Sequence, residues 1–259
     1  MPSAIQMRID DHVAYVTINR PEAMNTLSDA ALKELDKACQ AIATQDEIRV
    51  AVLTGEGGRV FSAGADLKEL GSKSPVEMLA QSERAQGLYQ RIETMGKPVI
   101  AAVNGLALGA GLELCLAATM RIFSETARVG FPEITLGAIP GYGGTQRLIR
   151  LIGPGPGVEL LLTGESISAE RAYELGLANR VVPREELDDA TRQWALRLAK
   201  FSPLTMRILL QVAHFGQEAP FVTGAALERL GVATLFASQD LREGIQAFTE
   251  KRPPSFRGR

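Results

Sequence analysis

Two glutamates in the middle of the chain have apolar neighbours. Glu113 lies in the segment GLELCL, residues 111–116, and Glu133 lies in GFPEI, residues 130–134. Because burial disfavours the charged form of a carboxylate, such a side chain can hold a proton at a pH where an exposed glutamate has lost it. For either glutamate alone, a place on a polar helix face or at a capped turn is the commoner role. The pair, close to glycine turns, instead favours a general acid and a general base.

Two turns rich in small residues have the composition of a site that stabilises negative charge. They are AGAD, residues 63–66, and GAG, residues 109–111, and each follows a strand-like segment and precedes a helix. Small residues let a ligand approach the backbone, and the first N–H groups of a helix have no partner within it. Two such donors that converge form an oxyanion hole, in which each donor contributes about 3 kcal/mol in the transition state. A tight turn without function is the commoner meaning of either turn alone.

Nucleotide-binding motifs are incomplete in this sequence. A dinucleotide site requires GxGxxG, but the second glycine turn is followed by Leu-Glu-Leu at residues 112–114, so the third glycine is missing. The GK[ST] signature of a phosphate-binding loop is also absent from the sequence. A nicotinamide-dependent oxidoreductase is therefore a poor alternative.

The composition indicates a globular protein with no bias towards nucleic acid or membranes. The chain has 259 residues, of which 46% are hydrophobic and 22% charged, with a net charge of −2 and a pI near 5.9. This length can bury a large core, as one domain or one domain with an appendage. No block of Lys or Arg suggests a nucleic acid or an anionic membrane as partner. The start, MPSAIQMRIDD, lacks a basic region followed by an apolar run, and no apolar run could span a bilayer, so we expect neither a secretory signal nor a membrane span.

The cysteines and histidines do not form a metal site in the sequence. Cys39 and Cys115 lie in helix-like segments without a CxxC pattern, so we interpret them as reduced packing residues of a cytosolic protein. His12 and His214 have no partner at a metal-ligand spacing. These patterns argue against a zinc enzyme or a Ser-His-Asp enzyme.

Hydrophobic periodicity predicts the elements that would hold these groups in place. Residues 4–9 and 13–19 alternate and predict a hairpin, and a helix follows Ser28 as its N-cap. Ser74 and Glu77 form a capping box for a long helix, and residues 99–103 predict a buried strand before the helix of Glu113. After about Pro183 the patterns are mainly helical. The helix of Ser28 has an apolar stripe formed by Leu32, Leu35, Cys39 and Ile42.

Several segments resemble one protein family, and together they are highly specific. The matching segments are NRP (residues 19–21), FSAGADL (61–67), NGLALGAGLE (104–113), PE (132–133), IPGYGGTQR (139–147), REGIQAF (242–248) and EKR (250–252). Over nearly its whole length the chain resembles the enoyl-CoA hydratase/isomerase (crotonase) family, and most of all its bacterial-type short-chain enoyl-CoA hydratases.

The resemblance implies a fold and an assembly. The fold class is α/β, a crotonase-like spiral of ββα units in residues 1–197, followed by a C-terminal helical trimerisation region in residues 198–259. Members of the family often form hexamers. We therefore expect a cytoplasmic protein that associates with itself as a trimer or hexamer, with no nucleic-acid or membrane partner. The broad apolar faces of the segments after residue 184 agree with subunit contacts, although some must pack on the chain's own core.

The resemblance also implies an activity: addition of water across the 2,3 double bond of a 2-enoyl-CoA thioester, giving 3-hydroxyacyl-CoA in the degradation of fatty acids or related acyl-CoA compounds. The thioester oxygen would be held by the N–H groups of Ala65 and Ala110, and Glu113 and Glu133 would act on a water molecule near the Gly141 amide. Since relatives with other chemistry often lack one glutamate, both being present favours hydration. The CoA thioester is the substrate, so we expect no cofactor and no metal.

Eight further residues match the family's contacts to substrate and CoA, and the chain departs from the family pattern at three positions. Ala110 replaces a common glycine, which keeps the N–H donor. Phe131 stands where hydratases often have Gln, which bears on acyl specificity, and Met24 stands where many members have a basic residue. The segment of Phe248 and Lys251 matches one that lies near CoA bound to a neighbouring subunit. The eight expected contact residues are Met24, Thr26, Ala63, Asp66, Leu67, Lys68, Phe248 and Lys251.

Other functions remain open at this point. The nearest are a Δ3,Δ2-enoyl-CoA isomerase, in which one glutamate moves the proton, and a methylglutaconyl-CoA-type hydratase for branched substrates. A different class is a non-catalytic acyl-CoA-binding or assembly protein, against which the presence of both glutamates argues.

Overall fold

The computed structural model describes residues 3–259, so the first two residues of the predicted first domain lie outside it. The strands are β1 (Ile5–Asp10), β2 (Val13–Ile18), β3 (Val50–Gly55), β4 (Val60–Ser62), β5 (Val99–Val103), β6 (Leu106–Leu108), β7 (Met120–Ser124), β8 (Arg128–Gly130), β9 (Ser166–Ser168) and β10 (Arg180–Val182). The helices are α1 (Asp29–Thr44), α2 (Leu67–Leu70), α3 (Pro75–Thr94), α4 (Ala110–Ala117), α5 (Gly144–Ile152), α6 (Pro154–Thr163), α7 (Ala169–Glu174), α8 (Leu187–Ala199), α9 (Pro203–Glu218), α10 (Phe221–Phe236) and α11 (Gln239–Glu250).

Two sheets form the centre of the molecule. The larger has the order β1-β2-β3-β5-β7-β10, in which only the β1–β2 hairpin is antiparallel. The smaller has the order β4-β6-β8-β9, and its β8–β9 pair is antiparallel. Successive strands alternate between the sheets: β3 leads to β4, β5 to β6 and β7 to β8, and helices follow each pair. The predicted α/β spiral of ββα units is therefore confirmed.

Side-chain caps fix the helix starts that the sequence predicts. Ser28 accepts a hydrogen bond from the Ala31 amide at the start of α1, and Ser74 and Glu77 form the complete capping box of α3. The predicted stripe of α1 is buried. In β1, however, Met7 and Ile9 are partly exposed, because this strand lies at the edge of the larger sheet.

The core has two parts, one on each face of the larger sheet. One contains side chains of both sheets, α1, α3 and α4, with Val99, Ala101 and Val103 of β5, whereas Ile100 and Ala102 of β5 belong to the other part. The other lies between the larger sheet and α8, where Leu187, Ala195 and Ala199 pack on β3, β5 and β7. The helix α8 packs on the larger sheet and ends at Ala199. The predicted domain boundary after residue 197 therefore falls within the last turn of α8.

The last three helices leave much of their apolar surface exposed. In α9 and α10 only Met206 and Gly231 are buried. No single helix in the described part of the chain is long and apolar enough to cross a membrane. Among these helices, only α10 and α11 taken together, with a bend of 72° between them, have the length and composition of a span. The exposed apolar side chains of these helices include Leu209, Phe215, Phe221, Val222, Leu230, Val232, Phe236, Ile245 and Phe248.

Candidate active site

The helix α4 carries Glu113 into the interior. It begins after Gly109, whose φ of +49° belongs to the left-handed region that favours glycine, and all eight of its residues are buried. Gly111 faces the Ser62 backbone so closely that a Cβ there would clash with the Ser62 carbonyl. A glycine at this position therefore lets the start of α4 lie against the end of β4, next to the turn of residues 63–66.

Glu113 is buried, with 1% of its surface exposed, and the described residues donate hydrogen bonds to only one of its two carboxylate oxygens. Its Oε1 accepts bonds from the amides of Tyr142 at 2.8 Å and Gly144 at 2.6 Å. Burial raises the pKa of Glu113 to about 7, and the two backbone donors oppose that shift. A carboxyl group with this pKa can accept or release a proton near neutral pH.

Glu133 lies opposite, at the start of a short 3₁₀ helix (Pro132–Leu136). It is half-buried, and desolvation raises its pKa. Its Oε2 is buried without a hydrogen-bond partner among the described residues, and a Cβ at Gly109 would lie 2.5 Å from its Oε1. The negative charge of Glu133 also contributes to the raised pKa of Glu113. The carboxyl group of Glu133 therefore lies against Gly109, next to the start of the helix that carries Glu113, and it acts on Glu113 electrostatically.

The two predicted oxyanion amides are adjacent and unpaired. Among residues 3–259, neither the Ala65 nor the Ala110 N–H has a hydrogen-bond acceptor. Gly64 has a φ of +106°, and a Cβ on it would lie 3.6 Å from the Ala110 nitrogen, so the two turns are in contact. Leu27 holds the first turn, because its amide donates to the Gly64 carbonyl and it bridges to Ala65. Tyr89 holds the second turn, because its hydroxyl donates to the Ala110 carbonyl at 2.9 Å.

The loop of residues 141–144 closes the site above Glu113. It supplies the two amides that Glu113 accepts, and in the described part of the chain the Gly141 N–H has no acceptor of its own. Phe131 is fully buried beside the loop: a Cβ on Gly144 would lie 2.9 Å from both the Glu113 Oε1 and the Phe131 ring. The glycine at 144 thus allows the contact between loop and carboxylate, and the Phe131 ring packs against the same glycine.

The expected CoA contacts near the N-terminus lie close together. The Ala63 amide donates to the Met24 carbonyl, and Asp66 caps α2 by accepting from the Lys68 amide. Arg20 joins them, because its guanidinium donates to Thr26 and lies 3.4 Å from Asp66 Oδ2. Met24 and Leu67 are exposed. Sequence reasoning missed Arg20 as part of this group, although the matching NRP segment contains it.

Phe248 and Lys251 lie apart from that group. Phe248 is 87% exposed on α11, and Lys251 ends the helix in a left-handed conformation. No hydrogen bond or ion pair between described residues joins either of them to the residues around Arg20.

Known proteins are similar to this chain in sequence and fold. A family model for enoyl-CoA hydratase/isomerase matches residues 8–259. The chain is 43% identical to 2,3-dehydroadipyl-CoA hydratase of Escherichia coli K12, over 95% of this chain and 96% of that protein, and 38% identical to short-chain-enoyl-CoA hydratase of Clostridium acetobutylicum, over 93% and 92%. The crystal structure of an enoyl-CoA hydratase from Bacillus anthracis matches with a TM-score of 0.96 at 38% identity, covering 99% of this chain and all of that one. The protein belongs to the enoyl-CoA hydratase/isomerase family.

Proposed function

We propose that the protein hydrates 2-enoyl-CoA thioesters to 3-hydroxyacyl-CoA. The observation that carries the proposal is the placement of two buried or half-buried carboxyl groups with raised pKa values beside two turns that each present one free N–H group, at Ala65 and Ala110. Membership of the family and the hydratase relatives agree with it.

The free amides of Ala65 and Ala110 would hold the thioester oxygen. The double bond of the substrate is conjugated to that carbonyl, so attack of water at C3 moves negative charge onto the oxygen. Preorganised donors stabilise this enolate-like charge more than the ground-state carbonyl. The dipole of the buried helix α4, which begins at Ala110, acts in the same direction.

The two glutamates would divide the proton transfers. Glu113, ionised, takes a proton from the water held between it, Glu133 and the Gly141 amide, and the oxygen bonds to C3. Glu133, in its protonated form, gives a proton to C2, so the elements of one water molecule are added across the double bond; desolvation, which raises the pKa of Glu133, favours that form. Nothing in this scheme calls for a metal ion or a redox cofactor.

Binding of the CoA moiety would use the residues around Arg20 from one chain and Phe248 and Lys251 from a neighbour. The exposed apolar side chains of α9, α10 and α11 support self-association as a trimer or hexamer, in line with their 46–87% exposure at Leu209, Phe215 and Phe248. Hydratase relatives from bacteria are consistent with a cytoplasmic enzyme that acts in acyl-CoA degradation.

An isomerase is the second candidate, since the family includes both activities. The presence of a second carboxyl group with a raised pKa favours hydration, because moving one proton within a substrate needs only one such group. The substrate's acyl chain is left open by two relatives whose names give different acids, 2,3-dehydroadipyl-CoA and (E)-benzylidenesuccinyl-CoA.

The test is an assay in water labelled with oxygen-18. The purified enzyme is given either crotonyl-CoA, longer 2-enoyl-CoA thioesters or a 3-enoyl-CoA, and the products are analysed by mass spectrometry. We expect labelled 3-hydroxyacyl-CoA from the 2-enoyl substrates. Interconversion of 3-enoyl- and 2-enoyl-CoA without uptake of label would support the isomerase instead.

A further inference from the structure

One helix holds the loop over the active site by side chains that the proposed chemistry does not use. Along α3, Gln81, Gln86, Tyr89 and Glu93 recur at helical spacing and face α4 and the loop of residues 141–144. The Gln81 side-chain amide donates to the Tyr142 hydroxyl at 2.7 Å. The rings of Tyr89 and Tyr142 pack edge to face, with their centroids 6.0 Å apart. The loop that supplies both donors to Glu113 is therefore fastened to α3.

The first anchor is Gln86. Its Nε2 donates to the Gly141 carbonyl at 2.9 Å. That carbonyl and the Tyr142 N–H belong to the same peptide group, which is planar, and the Tyr142 N–H donates to Glu113 at 2.8 Å. Holding the oxygen of this peptide on the α3 side therefore directs its N–H towards the carboxylate on the other side. It also polarises the peptide, which strengthens the donor.

The second anchor is the ion pair of Glu93 with Arg147 on α5. The guanidinium makes two bonds to the carboxylate, Nε to Oε1 at 2.8 Å and Nη2 to Oε2 at 2.6 Å. Its remaining nitrogen, Nη1, donates to the Tyr142 carbonyl at 2.9 Å. Only about a fifth of either side chain is exposed. Glu93 fixes the position of the Arg147 guanidinium. The bond from Nη1 to the Tyr142 carbonyl therefore holds the peptide group that joins residues 142 and 143.

We propose that Gln86 and the Glu93–Arg147 pair are positioning residues for the general base: they set the loop so that the Tyr142 and Gly144 amides meet Glu113 in the geometry that keeps it ionisable. This rests on the proposed function for its kinetic consequence. The titratable and charged side chains that act on Glu113 are Glu133, Arg147, Tyr89 and Tyr142. Gln86 adds no charge to this group, so its removal changes the direction and strength of the Tyr142 donor without changing the net charge around Glu113.

The helices α3 and α5 each offer a matched control for the anchor that they carry. Gln90 lies one turn after Gln86 on α3, and its side chain has no hydrogen bond among the described residues. Arg150 lies one turn after Arg147 on α5, and within residues 3–259 its side chain bonds only to Gln146 on its own helix. Gln86→Met is compared with Gln90→Met, and Arg147→Lys, which keeps the charge, with Arg150→Lys.

The experiment measures kcat, KM, the pH profile and amide hydrogen exchange for all four variants of the full chain. We expect Gln86→Met and Arg147→Lys to lower kcat roughly five- to tenfold with little change in KM, and the controls to stay within twofold. In Gln86→Met the acid limb of the kcat profile should move up by roughly half a pH unit, because Glu113 loses a well-aimed donor. The Tyr142 and Gly144 amides should exchange faster in both.

The opposite results would overturn the proposal. If Gln86→Met matched Gln90→Met in kcat, pH profile and exchange, Gln86 would only be a surface residue. If Arg147→Lys lost thermal stability without faster exchange at residues 142 and 144, the pair would serve the fold alone. Failure of the wild-type chain to hydrate any 2-enoyl-CoA would instead refute the proposed function, and the exchange measurement would still decide whether α3 positions the loop.

Discussion

Helices α4 and α10 both have few charged residues, yet they differ in what covers them. All eight residues of α4 are buried, whereas in α10 only Gly231 is buried, and Leu230 and Phe236 are about two-thirds exposed. A helix that is apolar on most sides is expected inside a core or an interface. Within one chain α4 is buried in a core, as expected, whereas α10 remains largely exposed. The interior that carries Glu113 is therefore complete in one chain, and the C-terminal helices are the part that we propose needs a partner.

Because of this difference, substitutions in the two regions should have different effects on chemistry and on assembly. A change near α4 should alter the chemistry and leave the assembly intact, because its surroundings come from the same chain. A change in α10 or α11 should alter the assembly first and affect activity through it, because Phe248 and Lys251 are proposed to reach the CoA of a neighbour.

The largest expected effect is on the chemistry. Glu113→Gln and Glu133→Gln should each lower kcat by roughly 10²–10⁴, because each removes a positioned proton transfer. Circular dichroism and light scattering should show an unchanged fold and assembly. Turnover close to that of the wild type in either variant would make that glutamate a structural residue and weaken the hydratase proposal.

The second effect is on assembly. Leu230→Asp and Phe236→Asp should each weaken subunit association by roughly ten- to a hundredfold, since a large apolar side chain contributes about 1.5–3 kcal/mol when buried. Light scattering over a dilution series measures the change. Ile9→Asp, which alters an exposed apolar residue of β1, is the control and should associate normally. A wild-type chain that is monomeric and fully active at assay concentration would contradict the proposal that α10 and α11 need a partner chain. It would also remove the reason to place Lys251 at the CoA site.

A third effect concerns stability and pH. The pKa of Glu113 rises from an ordinary value near 4.5 to about 7 on folding, so its favourable contribution is present below pH 4.5 and is lost as the pH rises through 7. Above pH 7 the folded chain holds a buried charge. Glu113→Gln should therefore melt at a higher temperature than the wild type at pH 8, and the difference should shrink towards pH 5. Glu83→Gln, a change at an exposed glutamate of α3, is the control for removal of a carboxylate. Equal melting temperatures of Glu113→Gln and the wild type at pH 8 would show that Glu113 bears no burial penalty.

The smallest effect is expected at Ala110. Ala110→Gly keeps the N–H that we propose for the oxyanion hole, so kcat should fall by less than about threefold, with a loss of roughly 1 kcal/mol in stability from a glycine in a helix. A large fall in kcat with an unchanged fold would mean that the methyl group, and not the amide, matters at this position.

Much of the fold followed from local patterns, and the site followed only in part. Ser28, the capping box of Ser74 and the buried strand of residues 99–103 were predictable because caps and apolar periodicity act over a few residues. The three-residue strands of the smaller sheet are too short to show periodicity, so β4, β6, β8 and β9 were not predicted as a sheet.

Long-range contacts account for what the sequence did not reveal about the site. The bonds from Tyr142 and Gly144 to Glu113 join residues 29 and 31 positions apart, and Arg20 meets Asp66 across 46 positions. No local pattern encodes such pairs. A glycine such as the one at 144 permits a close approach of the backbone, but it does not identify the partner. The roles of the predicted site residues remain predictions.

The most direct test of the central claim is a crystal structure with a bound 3-hydroxyacyl-CoA. The account predicts the thioester oxygen within about 2.7–3.1 Å of both the Ala65 and Ala110 nitrogens, with the C3 hydroxyl between Glu113, Glu133 and the Gly141 amide. A thioester oxygen that points away from these amides, or a hydroxyl in contact with neither carboxyl group, would contradict it.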